Sequence, residues 1–453
     1  MRYKHQQRTI DFIHDHNGRA FIASDAGTGK TPTVLWWFSE AKVKGTAKRM
    51  LVLCPKSIVE PAWLADARKF VPHLRAVAGT GPSKKKDEQA LQPWVDIFIT
   101  NHDSISHMSA KALLSFDTIC IDESTAFKGN TSARTKQLHN YVKTGKWRNR
   151  IGMSGTPMPQ SILDLWGQLY FVNPDDTPIF TTWRHETTVP RLIRVGKQTI
   201  TTYDEKPRIR DAITAMYSST IIRYAKEDCL DLPPQTMRTM TIQLSPALRK
   251  LYDQIEKEAV LELETGDVTA VHAGALAQKL LQVASGFAYG TDTDGKGHLA
   301  HKFSEERYEL IGELVSERQH SLVAFTFKAQ RDFLIKEMDA RKIKYAVLDG
   351  DTKDKTPIVE AYQRGEHQTL LCNPQSVAHG LTLTRGDTII WAGATSNLEH
   401  FAQFNARIDR VGQTKHNEVI LIEADKTYEQ SLYKKLLGKH VSQLDLLDML
   451  KEK

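Results

Sequence analysis

The stretch Phe21–Thr33, FIASDAGTGKTPT, decides the reading of this chain. Small or permissive residues, Ala26, Gly27 and Gly29, separate an apolar run from a helix predicted over Pro32–Ala41. That is the strand, loop and helix order of a phosphate cradle. Successive backbone N–H groups of such a turn point inward at phosphate oxygens, and the helix adds its positive N-terminal end. Thr28 completes the loop, Lys30 is placed to neutralise β- and γ-phosphates, and Thr31 to hold Mg²⁺. The usual eight-residue pattern begins with Gly, where this chain has Ser24. Taken alone, a Gly-rich turn is also compatible with a plain tight turn.

The chain has 453 residues, enough for roughly two to three domains with sizeable cores. No apolar run approaches the ~20 residues of a membrane span, and MRYKHQQRTIDF lacks the apolar centre of a signal peptide, so an intracellular, cytoplasmic protein is expected. Cys54, Cys120, Cys229 and Cys372 lie far apart and read as core thiols rather than as a disulfide framework or zinc ribbon. The histidines show no metal-ligating spacing. Net charge is +7, compatible with a polyanionic partner. Basic residues gather at Lys84, Lys85 and Lys86 and across Arg191–Arg210, either as solvated loops or as a polyanion-facing surface.

Downstream of the loop, short apolar runs alternate with amphipathic stretches: MLVLCP (50–55), WVDIFIT (94–100), TICIDE (118–123) and RIGMSG (150–155). Runs this short, rich in Ile and Val, suit buried parallel strands with helices between them. The pattern breaks over 176–300, read as a linker with a mostly helical insertion over 246–263 and 273–283. It returns with SLVAFTF (321–327), KYAVLDG (344–350), QTLLCN (368–373), DTIIWAG (387–393) and EVILIEA (418–424). Leu432, Leu436, Leu444 and Leu447 stand among charges over 428–453, predicting a closing helical brace.

Three further segments carry chemistry. Asp122 and Glu123 end an apolar strand as adjacent carboxylates, suited to anchoring Mg²⁺ and to polarising an attacking water. Ser154-Gly155-Thr156-Pro157 follows another strand and reads either as a turn or as a sensor of the phosphate state. In QFNARIDRVGQ (403–413), Arg407 and Arg410 are spaced by three, predicted to share a helix face and to reach a γ-phosphate. An isolated Arg pair is also a common surface ion-pair partner.

The ordered set resembles the Snf-type branch, Swi/Snf relatives, of superfamily-two helicase-like ATPases, and the resemblance covers nearly the whole chain. IASDAGTGKT (22–31) is similar to the family's ATP-binding motif, and Gln6 stands where the family has an adenine-reading Gln. Pro55, Lys56, Thr100 and Asn101 resemble first-lobe DNA-contact motifs, and SGTPMPQ (154–160) its coupling motif. IIRYAKEDCLDLPP (221–234) is similar to the inter-lobe stretch, LDGD (348–351) to a second-lobe signature, and SVAHGLTLT (376–384) with QFNARIDRVGQT to the last two motifs. Departures are Ser124 and Thr125, in place of a tail that often ends in His, and Ser396-Asn397-Leu398 in place of Trp-Asn-Pro.

The resemblance implies two RecA-like parallel-sheet lobes, 1–175 and 301–427, in a compact phage or prokaryotic form. It implies ATP and Mg²⁺ as cofactors, with Lys30, Asp122, Glu123, Arg407 and Arg410 catalytic and Thr31 and Asp122 on the metal. Gln6, residues 26–31, Gly380 and Gln403 would bind nucleotide; Pro55, Lys56, Thr100, Asn101, Thr326 and Thr382 would contact DNA. The function implied is a monomeric ATP-dependent translocase on duplex or branched DNA, with repair or replication proteins as further partners. A strand-separating or branch-migrating helicase and an ATP-switched binding module are the alternatives.

Overall fold

The computed structural model describes the chain except residues 1, 160, 196–197, 230–234, 266–269, 292–297, 378–380, 382, 411–412 and 439–453. It divides into two compact units, Met1–Val189 with Asp204–Asp231, and Pro190–Tyr203 with Leu232–Lys439.

The first unit is built on β1 (Arg19–Ile22), β2 (Met50–Cys54), β3 (Ala76–Ala78), β4 (Ile97–Asn101), β5 (Thr118–Asp122) and β6 (Asn149–Met153). With the later two-residue strand β9 (Ile221–Ile222) they form a seven-stranded parallel sheet in the order β3-β4-β2-β5-β6-β1-β9. All residues of β2, β5 and β6 are buried, as expected of strands covered on both faces. One face packs Leu51, Phe98, Ile119 and Leu169; the other packs Ile22, Val34, Phe38, Val52 and Ile151. The helix after the Gly-rich loop runs Lys30–Val43.

Beyond this sheet, β7 (Thr188–Val195) and β8 (Gln198–Glu205) form a two-stranded sheet, and β9 (Ile221–Ile222) pairs in parallel with β1. The second unit contains β10 (Gln235–Ile242), the antiparallel pair β11 (Phe287–Thr291) and β12 (His298–Lys302), then β13 (Ser321–Ala324), β14 (Tyr345–Leu348), β15 (Thr369–Cys372), β16 (Thr388–Trp391) and β17 (Asn417–Ala424). Its six-stranded parallel sheet has the order β10-β17-β16-β13-β15-β14. The buried pair Arg307–Glu429, 2.6 Å, fastens its helices.

The interval 176–300 supplies β9 to the first sheet and β10 to the second, besides helices Pro246–Thr265 and Ala270–Ala284. β9 is only two residues long and β10 (QTMRTMTI) is largely polar, so both gain their place from pairing with β1 and β17, which periodicity does not register. A helix over 428–438 buries Leu432, Tyr433 and Leu436; the rest of the expected brace lies outside the described residues. Among the described residues no helix is long and apolar enough to cross a membrane.

Candidate active site

Parallel strands direct their carboxyl ends to one edge of a sheet, where following loops present backbone N–H groups and side chains. In the first unit β1, β5 and β6 are neighbours or next-neighbours, so residues 23–29, 122–125 and 154–157 leave the sheet at one edge. Gly27 (φ 90°) and Gly29 (φ 79°) adopt left-handed conformations that other residues rarely tolerate. A Cβ at Gly29 would also lie 2.4 Å from Gln6 Nε2, so Gly29 is what lets helix Lys4–Asp15 carry Gln6 onto the loop.

Ser24 is not in the left-handed region, so glycine is not required there. Its hydroxyl accepts from Tyr224 N (3.0 Å), and Asp25 accepts from Lys226 N (3.0 Å) and Arg223 Nη2 (3.3 Å). The chain leaving β9 is thereby stitched to the Gly-rich loop, and the departure from the eight-residue pattern has a physical use. The Lys30 ammonium donates to Ser24 O (2.7 Å) and Asp25 O (3.0 Å), which keeps its charge within the loop. Thr31 is half-buried in the first helical turn.

Asp122 is buried at the end of β5. Oδ2 accepts from Trp63 Nε1 (2.8 Å) and Oδ1 from Glu123 N (3.0 Å). Burial pushes its carboxyl above the usual range, while the Trp63 indole, the Lys30 ammonium and the Glu123 amide pull it back. Glu123 has φ 49°, a left-handed conformation uncommon for a non-Gly residue and typical of strained functional positions. His102, also buried, lies 2.7 Å from Asp122 O and backs the turn. Sequence reasoning missed Trp63 and His102, which no local motif marks, and the contact that Arg223, inside the IIRYAKEDCLDLPP stretch, makes with Asp25.

His102 and His139, the latter 3.1 Å from Gly167 O, are both pushed down to about 4 by burial. Unfolded they titrate near 6.5, so between these values the unfolded chain binds the additional protons. Stability is full above that window and falls as pH drops through it. At pH 5 the expected loss is on the order of 2 kcal/mol per histidine. Denaturant unfolding at pH 7 and pH 5 measures it; His102→Gln should flatten the dependence, and an unchanged slope would refute the assignment.

The departure at Ser124 also has a partner. Its hydroxyl donates to Gln168 Oε1 (2.7 Å), and Gln168 Nε2 donates to Pro157 O (2.6 Å) and Asp164 O (2.8 Å). Gln168 thus ties the turn after β5 to the one after β6. Gly155, in the turn after β6, lies against the Gly-rich loop instead, where a Cβ would sit 3.3 Å from Ala26 N. Gln168→Leu strands the Ser124 hydroxyl and the Pro157 carbonyl in the core. A loss of about 1–3 kcal/mol is expected in denaturant unfolding, together with slower ATP turnover; wild-type stability would contradict the linkage.

On the β4 side, Lys86 Nζ donates to Asn101 Oδ1 (2.7 Å) and Ser104 Oγ (2.9 Å). Its pKa is lowered by burial and by the nearby charge of Lys56. Lys56, Lys86 and Asn101 therefore form one basic cluster, of which the Lys84–Lys86 run announced Lys86. Pro55 precedes the exposed Lys56 at a short turn of helix. Thr100, expected on the DNA, is fully buried, donating to Gly79 O (2.9 Å) and sharing a bond with Ser104 Oγ (2.8 Å). It supports Asn101 rather than presenting itself, because its side chain points to the covered face of the sheet.

In the second unit the helix carrying Gln403 ends at Asn405, so Arg407 and Arg410 lie in turns beyond it and do not share a helix face as expected. Beyond the helix, Arg407 N donates to Phe404 O (2.9 Å), an i−3 bond that tightens the last turn, and Arg407 O accepts from the distant Leu383 N (3.1 Å). Arg407 is 3 % exposed and donates to Gln403 O (3.0 Å) and Leu381 O (3.0 Å). Arg410 is half-buried, with Nε donating to Ala406 O (3.1 Å). Asn397 keeps a role despite its altered neighbours, capping helix Leu398–Asn405 through His400 N (3.0 Å). Thr326 donates to the buried Gln330. Gly380 and Thr382 lie outside the described residues.

The SNF2-related domain matches residues 5–285, and the helicase conserved C-terminal domain matches residues 306–414. The chain belongs to the SNF2-related family. It carries the ATP-binding and hydrolysing domain of a superfamily-two helicase-like ATPase, related to SWI/SNF ATPases, on two RecA-like parallel sheets. It is similar to a protein named p41 of Acyrthosiphon pisum secondary endosymbiont phage 1, 25% identical over 96% of this chain and 95% of that protein. YwqA of Bacillus subtilis, named as an ATP-dependent helicase/translocase, is 25% identical over 95% of this chain and 46% of its own length. The chain thus spans nearly all of the phage protein and less than half of the bacterial one. The Sulfolobus solfataricus SWI2/SNF2 ATPase core, solved with dsDNA, is 19% identical with a TM-score of 0.45, over 98% of this chain and 92% of that one.

Proposed function

We propose that this SNF2-related protein is an ATP-dependent translocase on double-stranded DNA, a compact phage or prokaryotic form that acts inside the cell in repair, replication or recombination. The observation supporting it is the gathering, in one unit, of the phosphate loop, the Asp122–Glu123 strand end and the Lys56–Lys86–Asn101 cluster. In this reading backbone N–H groups of residues 26–31 and the Lys30 ammonium hold the phosphates, and Gln6, seated against Gly29, reads the base. The Thr31 hydroxyl and the Asp122 carboxylate are oxygen donors of the kind Mg²⁺ takes, and each Asp122 oxygen keeps a lone pair beyond its hydrogen bond to Trp63 or to the Glu123 amide. Mg²⁺, when bound, neutralises charge on the β- and γ-phosphates.

Glu123 orients the attacking water and takes its proton, while Arg407 and Arg410 stabilise charge on the transferring phosphoryl group. Gly380 and Gln403 complete the nucleotide contacts. Lys56, Asn101, Thr326 and Thr382 meet DNA phosphates, so binding is weakly sequence-specific and strongly salt-dependent. A monomer suffices for this cycle.

The test is steady-state ATPase at low salt without polymer and with single-stranded DNA, blunt duplex, forked DNA or RNA, with Glu123→Gln as control. Stimulation by blunt duplex, lost in the variant, supports translocation on the duplex. A requirement for single strands, forks or RNA supports a helicase, and no hydrolysis with any polymer supports an ATP-switched binding module.

The β7–β8 pair extends the reading. Arg191 and Arg208 are exposed, whereas Arg210 is held by Glu205 (2.8 Å). Reversing Arg191 and Arg208 to Glu is expected to weaken duplex-stimulated ATPase at least about tenfold in the DNA concentration required. Unchanged stimulation removes this segment from the DNA-contacting surface.

A further inference from the structure

At the amino ends of β1 and β6, the edge of the first sheet away from the phosphate loop, lies a cavity of about 460 Å³ lined by His16, Asn17, Arg19, Gly145, Arg148 and Arg150. Three arginines and a histidine line it, and no carboxylate does. Arg19 and Arg150 are direct partners in the β1–β6 register, an arrangement of like charges that costs stability unless something compensates it.

Arg150 is nine-tenths buried and more. Nε and Nη1 donate to Val172 O (3.0 Å) and Trp147 O (2.9 Å), but its enclosed Nη2 has no hydrogen-bond partner among the described residues. Burial, then the neighbouring charge of Arg19, pulls its pKa down to about 10, against the opposing pull of the Asp175 carboxylate. Arg19 does have a counter-ion, Asp175 at 3.1 Å, yet that carboxylate is 75% exposed, and such surface pairs are weak and exchange readily with another anion. Arg148 is exposed and has no side-chain partner among the described residues. His16 Nδ1 is 2.8 Å from Phe12 O, which leaves Nε2 for another partner. The C-terminal end of helix Lys4–Asp15 brings partial negative charge to the same place, so the guanidinium groups must outweigh it. Lys143 and Lys146, both exposed, add to the positive side of that balance.

We infer that this cavity is a second anion site that takes a phosphate group, on the sheet edge away from the one that serves ATP. Planar guanidinium forks suit phosphate oxygens bidentately, and concave basic surfaces with apolar walls concentrate anions. The volume exceeds a bare phosphate and falls in the range of about 300–1,000 Å³ typical of small-molecule pockets, so a phosphorylated small molecule fits as well as one nucleotide unit of a polymer. The phosphate chemistry is shared by the two sources, which the following measurements separate. Nothing in the inference requires that the protein move on DNA.

The full chain carrying Lys30→Ala, which disables the phosphate loop, is titrated calorimetrically with pyrophosphate without Mg²⁺. In parallel, a short blunt duplex is bound to the chain with intact Lys30, followed by fluorescence anisotropy over a range of salt. Each is repeated with Arg148→Glu and with Arg19→Gln. Neither residue touches the ATP machinery, so ATPase without polymer, measured with Lys30 intact, should match the parent. Pyrophosphate binding that survives Lys30→Ala and weakens at least about tenfold with Arg148→Glu identifies a small-anion site. Pyrophosphate binding insensitive to Arg148→Glu, with duplex affinity and its salt slope reduced, assigns the cavity to a nucleic-acid phosphate instead. If neither titration changes with either variant, the inference is wrong.

Discussion

Glu123→Gln is expected to lower kcat for ATP by about 10²–10⁴-fold while leaving nucleotide affinity near the parent value, the range a positioned general base contributes. The argument begins with backbone geometry. Glu123 follows a strand whose last residue, Asp122, is locked by Trp63 and by the Glu123 amide itself, and it holds φ 49° at the expense of local strain. Gln has the same length and the same backbone requirements, so the turn, the Asp122 contacts and the His102 support remain. What disappears is the ability to accept a proton from water. Nucleotide titration and single-turnover hydrolysis distinguish the two effects. A variant that turns over within a fewfold of the parent would show that another group activates the water, and one that no longer binds nucleotide would show that the side chain serves the loop instead.

How much of this site could be read from the chain depended on the range of the interaction. The left-handed turns at Gly27 and Gly29 were legible because a Gly-rich loop is a local conformation, and the positive φ values of both glycines are what the spacing demands. Asp122 was legible because an apolar run ending in carboxylates marks a strand end. Trp63 lies 59 residues from Asp122 and Gln168 lies 44 from Ser124, and nothing in either neighbourhood says which strand end each will reach. The same holds for Tyr224 on Ser24, a contact that depends on β9 pairing with β1 rather than elsewhere. The two parallel sheets followed from runs of Ile and Val that suit burial on both faces, whereas β9 and β10 are strands by partnership. Resemblance placed Thr100 in a DNA-contact motif, but a motif does not state which of its alternating side chains faces the core. In β4 that one is Thr100, with its hydroxyl spent on Gly79 and Ser104.

The arginines of residues 403–413 should separate by the work each does. Arg407 is enclosed and braces Leu381 through its side chain and Leu383 through its carbonyl, so it fixes the shape of the second unit near Gln403. Arg410 is half-buried, spends Nε on Ala406 O, and lies in a turn rather than in the helical ladder. Arg410→Ala is therefore expected to reduce kcat by about 10³–10⁵-fold, the span associated with arginines that stabilise a transferring phosphoryl group, with little change in unfolding free energy. Arg407→Ala should lose turnover and, in addition, about 1–3 kcal/mol of stability, because the buried carbonyl of Gln403 and the half-buried carbonyl of Leu381 lose their donor. Lys at position 407 would not restore the parent, since a point charge on a flexible stem cannot serve two divergent carbonyls as a planar fork does. Polymer-stimulated ATPase and denaturant unfolding on the same preparations read both quantities. Wild-type turnover in Arg410→Ala would remove that residue from the chemistry, and equal stability of the two alanine variants would mean that the bonds made by Arg407 do not hold the turn.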